Sequence, residues 1–155
     1  MHSNTVILGR YVAIAAMVLT AMANTSPSIA DGALAVGLPA DVVHYGFASG
    51  FRLNAPDMAT ARTGAIQGCQ KSVGASDAAK KLCKVIATFH NQCFAIAIDP
   101  KNGTPGVGWS IAENQDMADK QAIAQCRTTA GPDRQEFCVV MKDRGINRGC
   151  DGTAK

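Results

Sequence analysis

The feature that most constrains this chain is a cysteine-bearing segment that occurs twice. Residues Ala61 to Cys69 and Ala118 to Cys126 both read A-x-x-x-A-I-x-x-C. The agreement continues in the same order on either side. Upstream, Ala33-Leu34-Ala35 matches Ala95-Ile96-Ala97, Gly46-Phe47-Ala48 matches Gly108-Trp109-Ser110, and Asp57-Met58 matches Asp116-Met117. Downstream, Cys83-Lys84-Val85 matches Cys138-Val139-Val140, and a third cysteine, Cys93 or Cys150, closes each copy. Ordered self-similarity of this kind is the mark of an internal duplication. The expectation is a single pseudo-symmetric domain over residues 31–155, with one repeat over about 32–93 and the other over about 94–150, a length suited to one core.

Each copy carries the same coarse pattern. Ala33–Gly37 and Phe94–Ile98 are apolar runs of strand length, and Val43–Ser49 and Val107–Ala112 follow as second strands. Asp57 and Asp116 are placed to cap helices that run to about Cys69 and Cys126. The shared Ala, Ala, Ile and Cys then recur at helical spacing and share one face. Lys84–Phe89 and Phe137–Lys142 read as third strands. His90-Asn91-Gln92 would turn Lys84–Phe89 back into Phe94–Ile98 as a hairpin. The fold class expected is α+β: two strand–strand–helix–strand repeats forming a mostly antiparallel sheet with two helices.

The cysteines number six, with no pair closer than the ten residues from Cys83 to Cys93. Zinc sites usually space their thiols two to four residues apart, and a redox dithiol needs C-x-x-C. Disulfides are therefore expected. A helix ending in Cys69 or Cys126 can reach a strand opening at Cys83 or Cys138. Cys93 lies a whole strand beyond Cys83, about 20 Å away at the rise of a strand, past the reach of a bridge. The scheme expected is Cys69–Cys83, Cys126–Cys138 and Cys93–Cys150, the last joining the two units.

Residues 1–30 read as a secretory signal peptide. Arg10 precedes the apolar run Tyr11 to Ala23, and Ser28-Ile29-Ala30 is a small-residue cleavage pattern before Asp31. The run is shorter than the roughly 20 residues a membrane span requires. A periplasmic or secreted location follows, with no integral membrane segment after cleavage. Removing residues 1–30 takes away only Arg10, leaving 14 Lys and Arg against 12 Asp and Glu, evenly mixed. No basic stripe of the kind nucleic acid requires is present.

Taken together, these elements resemble the domain of unknown function 4189 family of small exported bacterial proteins. The resemblance is carried by Gly32-Ala33-Leu34-Ala35, Tyr45-Gly46, Gly108-Trp109, the helix from Ala61 to Cys69, Cys83-Lys84-Val85 and Cys93-Phe94-Ala95-Ile96-Ala97. The first unit departs from the pattern in longer stretches at Leu38 to His44 and Gly50 to Pro56. The resemblance implies a secreted or periplasmic module and transfers no active-site residue.

Candidates for chemistry are few. His90 stands three residues before Cys93, as a base stands by a thiol nucleophile, but Cys93 belongs to the paired set and Cys150 has no matching histidine. Asp57, Asp116, Glu113 and Glu136 could supply a carboxylate pair for sugar hydrolysis, yet two of them are placed as helix caps. No catalytic, metal or cofactor-binding residue is assigned, and no cofactor is expected. Phe47, Trp109 and Tyr45, aromatics beside glycines, are the candidate binding surface. The reading favoured is a non-enzymatic binding module for an unidentified protein or envelope component. The alternative is a small cell-wall-directed hydrolase or an inhibitor-like secreted factor.

Overall fold

Alternation of small and large residues organises the architecture. In the computed structural model, which describes residues 31–140 and 147–155, strand β1 (Asp31–Gly37) turns Ala33 and Ala35 to one face and Leu34 and Val36 to the other. Strand β4 (Cys93–Ile98) does the same, with Cys93, Ala95 and Ala97 opposite Phe94 and Ile96. All of these residues except Val36, at 2% exposure, are completely buried. Each strand is thus covered on both faces, by a helix on its small-residue side and by the other strand's sheet on its large-residue side.

Two antiparallel sheets result. The first has the order β2–β1–β3, with β2 spanning Ala48–Ala55 and β3 spanning Lys84–Phe89. The second is centred on β4. Strand β5 (Val107–Ala112) lies on one side, and the short strands β6 (Val139–Val140) and β7 (Arg148–Cys150) share the other. Helix α2 (Met58–Gln70) leads from β2 towards β3, and helix α4 (Gln115–Ala130) from β5 towards β6, so the principal elements of the two units share the order strand–strand–helix–strand. Between the sheets lies an apolar layer of Leu34, Val36, Phe89, Phe94 and Ile96, with the Phe51 ring tilted against that of Phe94 at 4.6 Å between centroids. The layers run helix, sheet, sheet, helix. Two short helices, α1 (Val42–Tyr45) and α3 (Asp77–Lys81), sit in the first unit.

The α+β class, the antiparallel pairing and the two principal helices agree with expectation. Several particulars differ. The strands divide between two sheets, and His90-Asn91-Gln92 carries the chain from one sheet to the other instead of closing a hairpin. β3 pairs with β1, not with β4. Stacking the sheets buries the large-residue faces of β1 and β4, which a single side-by-side sheet would leave uncovered. The segment expected as strand Val43–Ser49 is split. Asp41 accepts a hydrogen bond from His44 N (2.9 Å) and caps α1, Gly46 ends it at φ 65°, and β2 begins only at Ala48. Helix α4 is capped by Asn114, whose Oδ1 accepts from Met117 N (3.0 Å), and Asp116 lies within its first turn. Of the strand expected over Phe137–Lys142, β6 forms the described part, preceded by a 3-10 turn at Gln135–Phe137; its expected end lies outside the described residues, as does the expected signal peptide.

A glycine in each outer strand sets the distance to the helix. A Cβ on Gly50 would overlap Cys69 N and Ala65 O, and a Cβ on Gly108 would overlap Cys126 N and Ala122 O. Ala61, Ala65 and Cys69 of α2, and Ala118, Ala122 and Cys126 of α4, complete these contacts with no exposed surface. Gly50-Phe51 is therefore the structural counterpart of Gly108-Trp109. The register agrees, with Ala35 opposite Gly50 and Ala97 opposite Gly108. The sequence match to Gly46-Phe47 is displaced by four residues, because α1 occupies that stretch.

The three disulfides are Cys69–Cys83, Cys126–Cys138 and Cys93–Cys150. The pairing is as expected, but the third bridge lies within the second sheet, since β4 opens at Cys93 directly opposite Cys150 of β7. In the chain-entropy model, the sequence separations of 14 and 12 residues correspond to about 3 kcal/mol each, and that of 57 to about 4 kcal/mol. Paired alanine replacement of Cys93 and Cys150 should therefore lower urea-unfolding stability by about 1 kcal/mol more than replacement of either helix-end pair. Gly50→Ala or Gly108→Ala should each cost about 2–3 kcal/mol by overpacking. Gly68→Ala, where a Cβ meets nothing closer than 3.4 Å, should be neutral to slightly stabilising in the same assay.

Candidate functional site

The chain between β1 and β2, the segment between α2 and α3, and the loop between β4 and β5 converge at one end of the sandwich. Each is held there by a polar contact that its local sequence supplies. Ser76 caps α3 by accepting from Ala79 N (3.2 Å) and donates its hydroxyl proton to Tyr45 O (2.6 Å), tying α1 to the start of α3. In the β4–β5 loop, Asp99 N donates to Gly106 O (2.9 Å), and Thr104 Oγ1 donates to Lys101 O (2.8 Å).

Asp99 anchors this loop. Its carboxylate is buried and accepts from Arg134 Nε (2.7 Å), Arg134 Nη2 (2.6 Å) and Lys101 N (3.1 Å). The Arg134 guanidinium also lies 4.1 Å over the Phe137 ring. A forked arginine–carboxylate pair of this kind fixes orientation as well as charge. Hydrogen bonding from Arg134 holds the Asp99 carboxyl down at about 2 against the cost of burial, and Asp99 in turn raises Arg134.

Two adjoining clefts open at this end. One, of about 540 Å³, is lined by Val43, Tyr45 and Phe47 on one side and by Ile98, Pro100 and Asn102 on the other. The second, of about 600 Å³, shares Phe47, Ile98, Pro100 and Asn102 and continues past Phe51, Gly68 and Lys71. Tyr45 is 43% exposed at the rim, and Val43 and Val73 expose further apolar surface nearby. A third cleft, of about 400 Å³, lies farther along β2 between Arg52 and Gly64.

The structure brings together two of the three sequence-selected aromatics. Tyr45 and Phe47 line the first cleft. Trp109 is half-buried against the layer between the sheets and is not among the residues lining these clefts. Phe47 packs against the same layer from the cleft side. The remaining candidates stand apart. Cys93 is committed to its disulfide and offers His90 no thiol, while His90 Nδ1 lies 3.5 Å from Asp31 Oδ1 at the other end of β1. Asp57 caps α2 through Thr60 N (2.7 Å), which lowers its pKa. Glu113, Asp116 and Glu136 are exposed. Among the described residues no cluster of three or more metal-ligating side chains occurs.

The domain of unknown function 4189 family matches residues 32–143. The chain belongs to that family. The match takes in β1 through β6, both helix-end disulfides and all the cleft-lining residues except Asn147; β7 with Cys150 also lies beyond it. No curated protein and no solved structure matches the chain significantly. Within this family member, Asp99, Arg134, Ser76 and Lys71 were not legible as site residues. Asp99 and Arg134 are 35 residues apart, and only the fold shows that they meet.

The Asp99–Arg134 pair makes loop stability pH-dependent. The folded carboxyl titrates near 2 and the unfolded one near 3.8. The stabilisation is therefore complete above about pH 4 and is lost as pH falls through about 2. Asp99→Asn should lower the melting temperature at neutral pH, and the gap from the parent protein should close between about pH 4 and about pH 2 in calorimetric scans.

Proposed function

We propose that this protein is an exported, disulfide-stabilised binding module without catalytic activity, which engages a protein or envelope component outside the cytoplasm. The observation that carries this reading is the pair of adjoining clefts whose rim holds exposed Tyr45 and half-buried Phe47. Ligand sites are typically concave, largely apolar and furnished with a few fixed polar groups. Ser76, Asn102 and the Asp99-anchored loop would supply those groups here. The three bridges suit an oxidising compartment, and no helix among the described residues is long and apolar enough to cross a membrane. We further infer that the two units arose by duplication. The shared A-x-x-x-A-I-x-x-C helices, the matched glycine contacts and the common element order support it.

The oxidised protein, recovered from the export compartment and immobilised, should have Asp31 as its first residue and should retain a specific component from envelope or culture-medium extracts. Tyr45→Ala and Asn102→Ala, both at exposed positions, should weaken that retention at least tenfold while leaving the melting temperature unchanged. Equal retention by parent and variants would remove the cleft from the reading.

A further inference from the structure

The two units differ at one place where their sequences diverge on an otherwise shared frame. β5 is an outer strand, and its outward backbone groups are closed off by α4. Trp109 N donates to Gln125 Oε1 (2.7 Å), Val107 N donates to Thr129 Oγ1 (2.9 Å), and Thr129 Oγ1 donates to Val107 O (2.8 Å). Gln121 adds a contact to Ser110 Oγ. Covering an exposed strand edge in this way prevents further strand addition.

Aligning Ala65 and Cys69 with Ala122 and Cys126 puts Gly64, Gly68 and Ser72 of the first unit where the second has Gln121, Gln125 and Thr129. The two glutamine side chains that close β5 are absent beside β2. Helix α2 also ends at Gln70, before Ser72, whereas α4 continues to Ala130 and so presents Thr129. The Cβ position of Gly68 lies 3.6 Å from Phe51 N and 3.8 Å from Phe51 O, the groups equivalent to those of Trp109. Leu34 pairs with Phe51 as Ile96 pairs with Trp109, so the amides of Ser49 and Phe51 point away from β1. The second and third clefts both lie along this strand, one holding Ser49, Phe51 and Gly68, the other Arg52 and Gly64.

We propose that the outer edge of β2 receives an extended, acidic peptide segment of a partner, which joins the first sheet as an added strand. This rests on the binding-module reading and names the partner's chemistry. The main-chain amides of Ser49 and Phe51 supply affinity without regard to side chains, and alternate peptide residues enter the apolar cleft beside Phe47 and Phe51. Charge selects the occupant. Arg52 and Lys71 flank the edge, are exposed and make no ion pair among the described residues. Two copies joined β2 to β2 about the middle of the strand would bring two Arg52 side chains close together, a like-charge arrangement that disfavours pairing. An acidic peptide gains from the same charges.

The probe is an equimolar pool of blocked heptapeptides alternating Glu with Val, Leu, Ile or Phe, titrated to about 1 mM into the ¹⁵N-labelled oxidised protein. The amide signals of Ser49 and Phe51 should shift and their hydrogen exchange should slow. A pool with Lys in place of Glu should bind at least tenfold more weakly. Gly64→Gln with Gly68→Gln, which installs the residues that close β5, should weaken binding at least tenfold without changing signals from β4 and β5. A Cβ on Gly68 has room, and one on Gly64 has Arg52 side-chain atoms as its nearest neighbours at 3.0–3.2 Å, so Arg52 must give by a few tenths of an ångström. Unchanged Ser49 and Phe51 signals, or equal binding by the double glutamine variant, would overturn strand addition. So would shifts that appear with protein concentration alone, which would assign the edge to a second copy. Shifts confined to Val43, Tyr45 and Asn102 would overturn strand addition while leaving the cleft reading in place.

Discussion

In each unit the helix backbone rests directly on the backbone of an outer strand, at Gly50 against Cys69 and at Gly108 against Cys126. With no side chain between them, the helix can face its sheet only through alanines and a cysteine, and so it does: Ala61, Ala65 and Cys69 in one, Ala118, Ala122 and Cys126 in the other. A contact layer of such small residues buries little apolar area, at about 25 cal/mol per Å². The larger side chains are gathered on the opposite faces, where Leu34, Val36, Phe94 and Ile96 meet between the sheets. The bridges from Cys69 and Cys126 then fix each helix end to the segment that follows. Close approach, a thin outer layer, a thick central layer and a covalent staple are linked consequences of one contact.

The residues that generate this contact are the ones that repeat, which is why so much of the fold was legible. Helical spacing of Ala, Ala and Cys gave α2, α4 and the face they bury. The positions of Cys83 and Cys138 after those helices gave the disulfide pairing. The repeat itself does not say which sheet a strand joins; the alternation within β4 does. Cys-Phe-Ala-Ile-Ala-Ile in β4 alternates small with large, not polar with apolar, and so announces two buried faces of different thickness. That signal argues for sheets stacked face to face, and against the hairpin drawn through His90. The misplaced Gly46-Phe47 match has a similar origin. Both Gly46-Phe47 and Gly50-Phe51 place an aromatic after a glycine, and only contact with Ala65 and Cys69 selects the second. At the site, Tyr45 and Phe47 were visible as aromatics beside a glycine. The Asp99–Arg134 pair was not, because charge pairing across 35 residues leaves no local trace.

The two units keep this frame and differ in what they leave open. On α4, glutamine and threonine side chains use the helix surface to satisfy the outward amides of β5. On α2 the corresponding surface carries glycines, which are unfavourable inside a helix by up to about 1 kcal/mol each relative to alanine. Gly68 is not demanded by the helix–sheet contact itself, while a Cβ on Gly64 would lie 3.0 Å from Arg52 Cγ. A Cβ at Gly68 meets nothing closer than 3.4 Å, whereas one at Gly50 would meet backbone. Their effect is to lower the wall of the groove beside Arg52 and Phe51.

An open strand edge is a hazard in a flexible protein, since it invites pairing with any extended chain. The hazard is reduced when the edge cannot rearrange and when its charge excludes its own copies. The first unit meets both conditions. Cys69–Cys83 ties the end of α2 to the start of β3, on the far side of β1 from β2, so the sheet and its covering helix are held as one body. Arg52, projecting at the middle of β2, sets positive against positive in a pair of identical strands. Rigidity has a second consequence: a binding surface already in its bound shape loses less conformational entropy when a ligand docks. A strand edge held ready in this way needs only a few main-chain hydrogen bonds and one or two filled apolar positions to hold an extended segment. That number is about what the Ser49–Phe51 edge and the cleft beside Phe47 can provide.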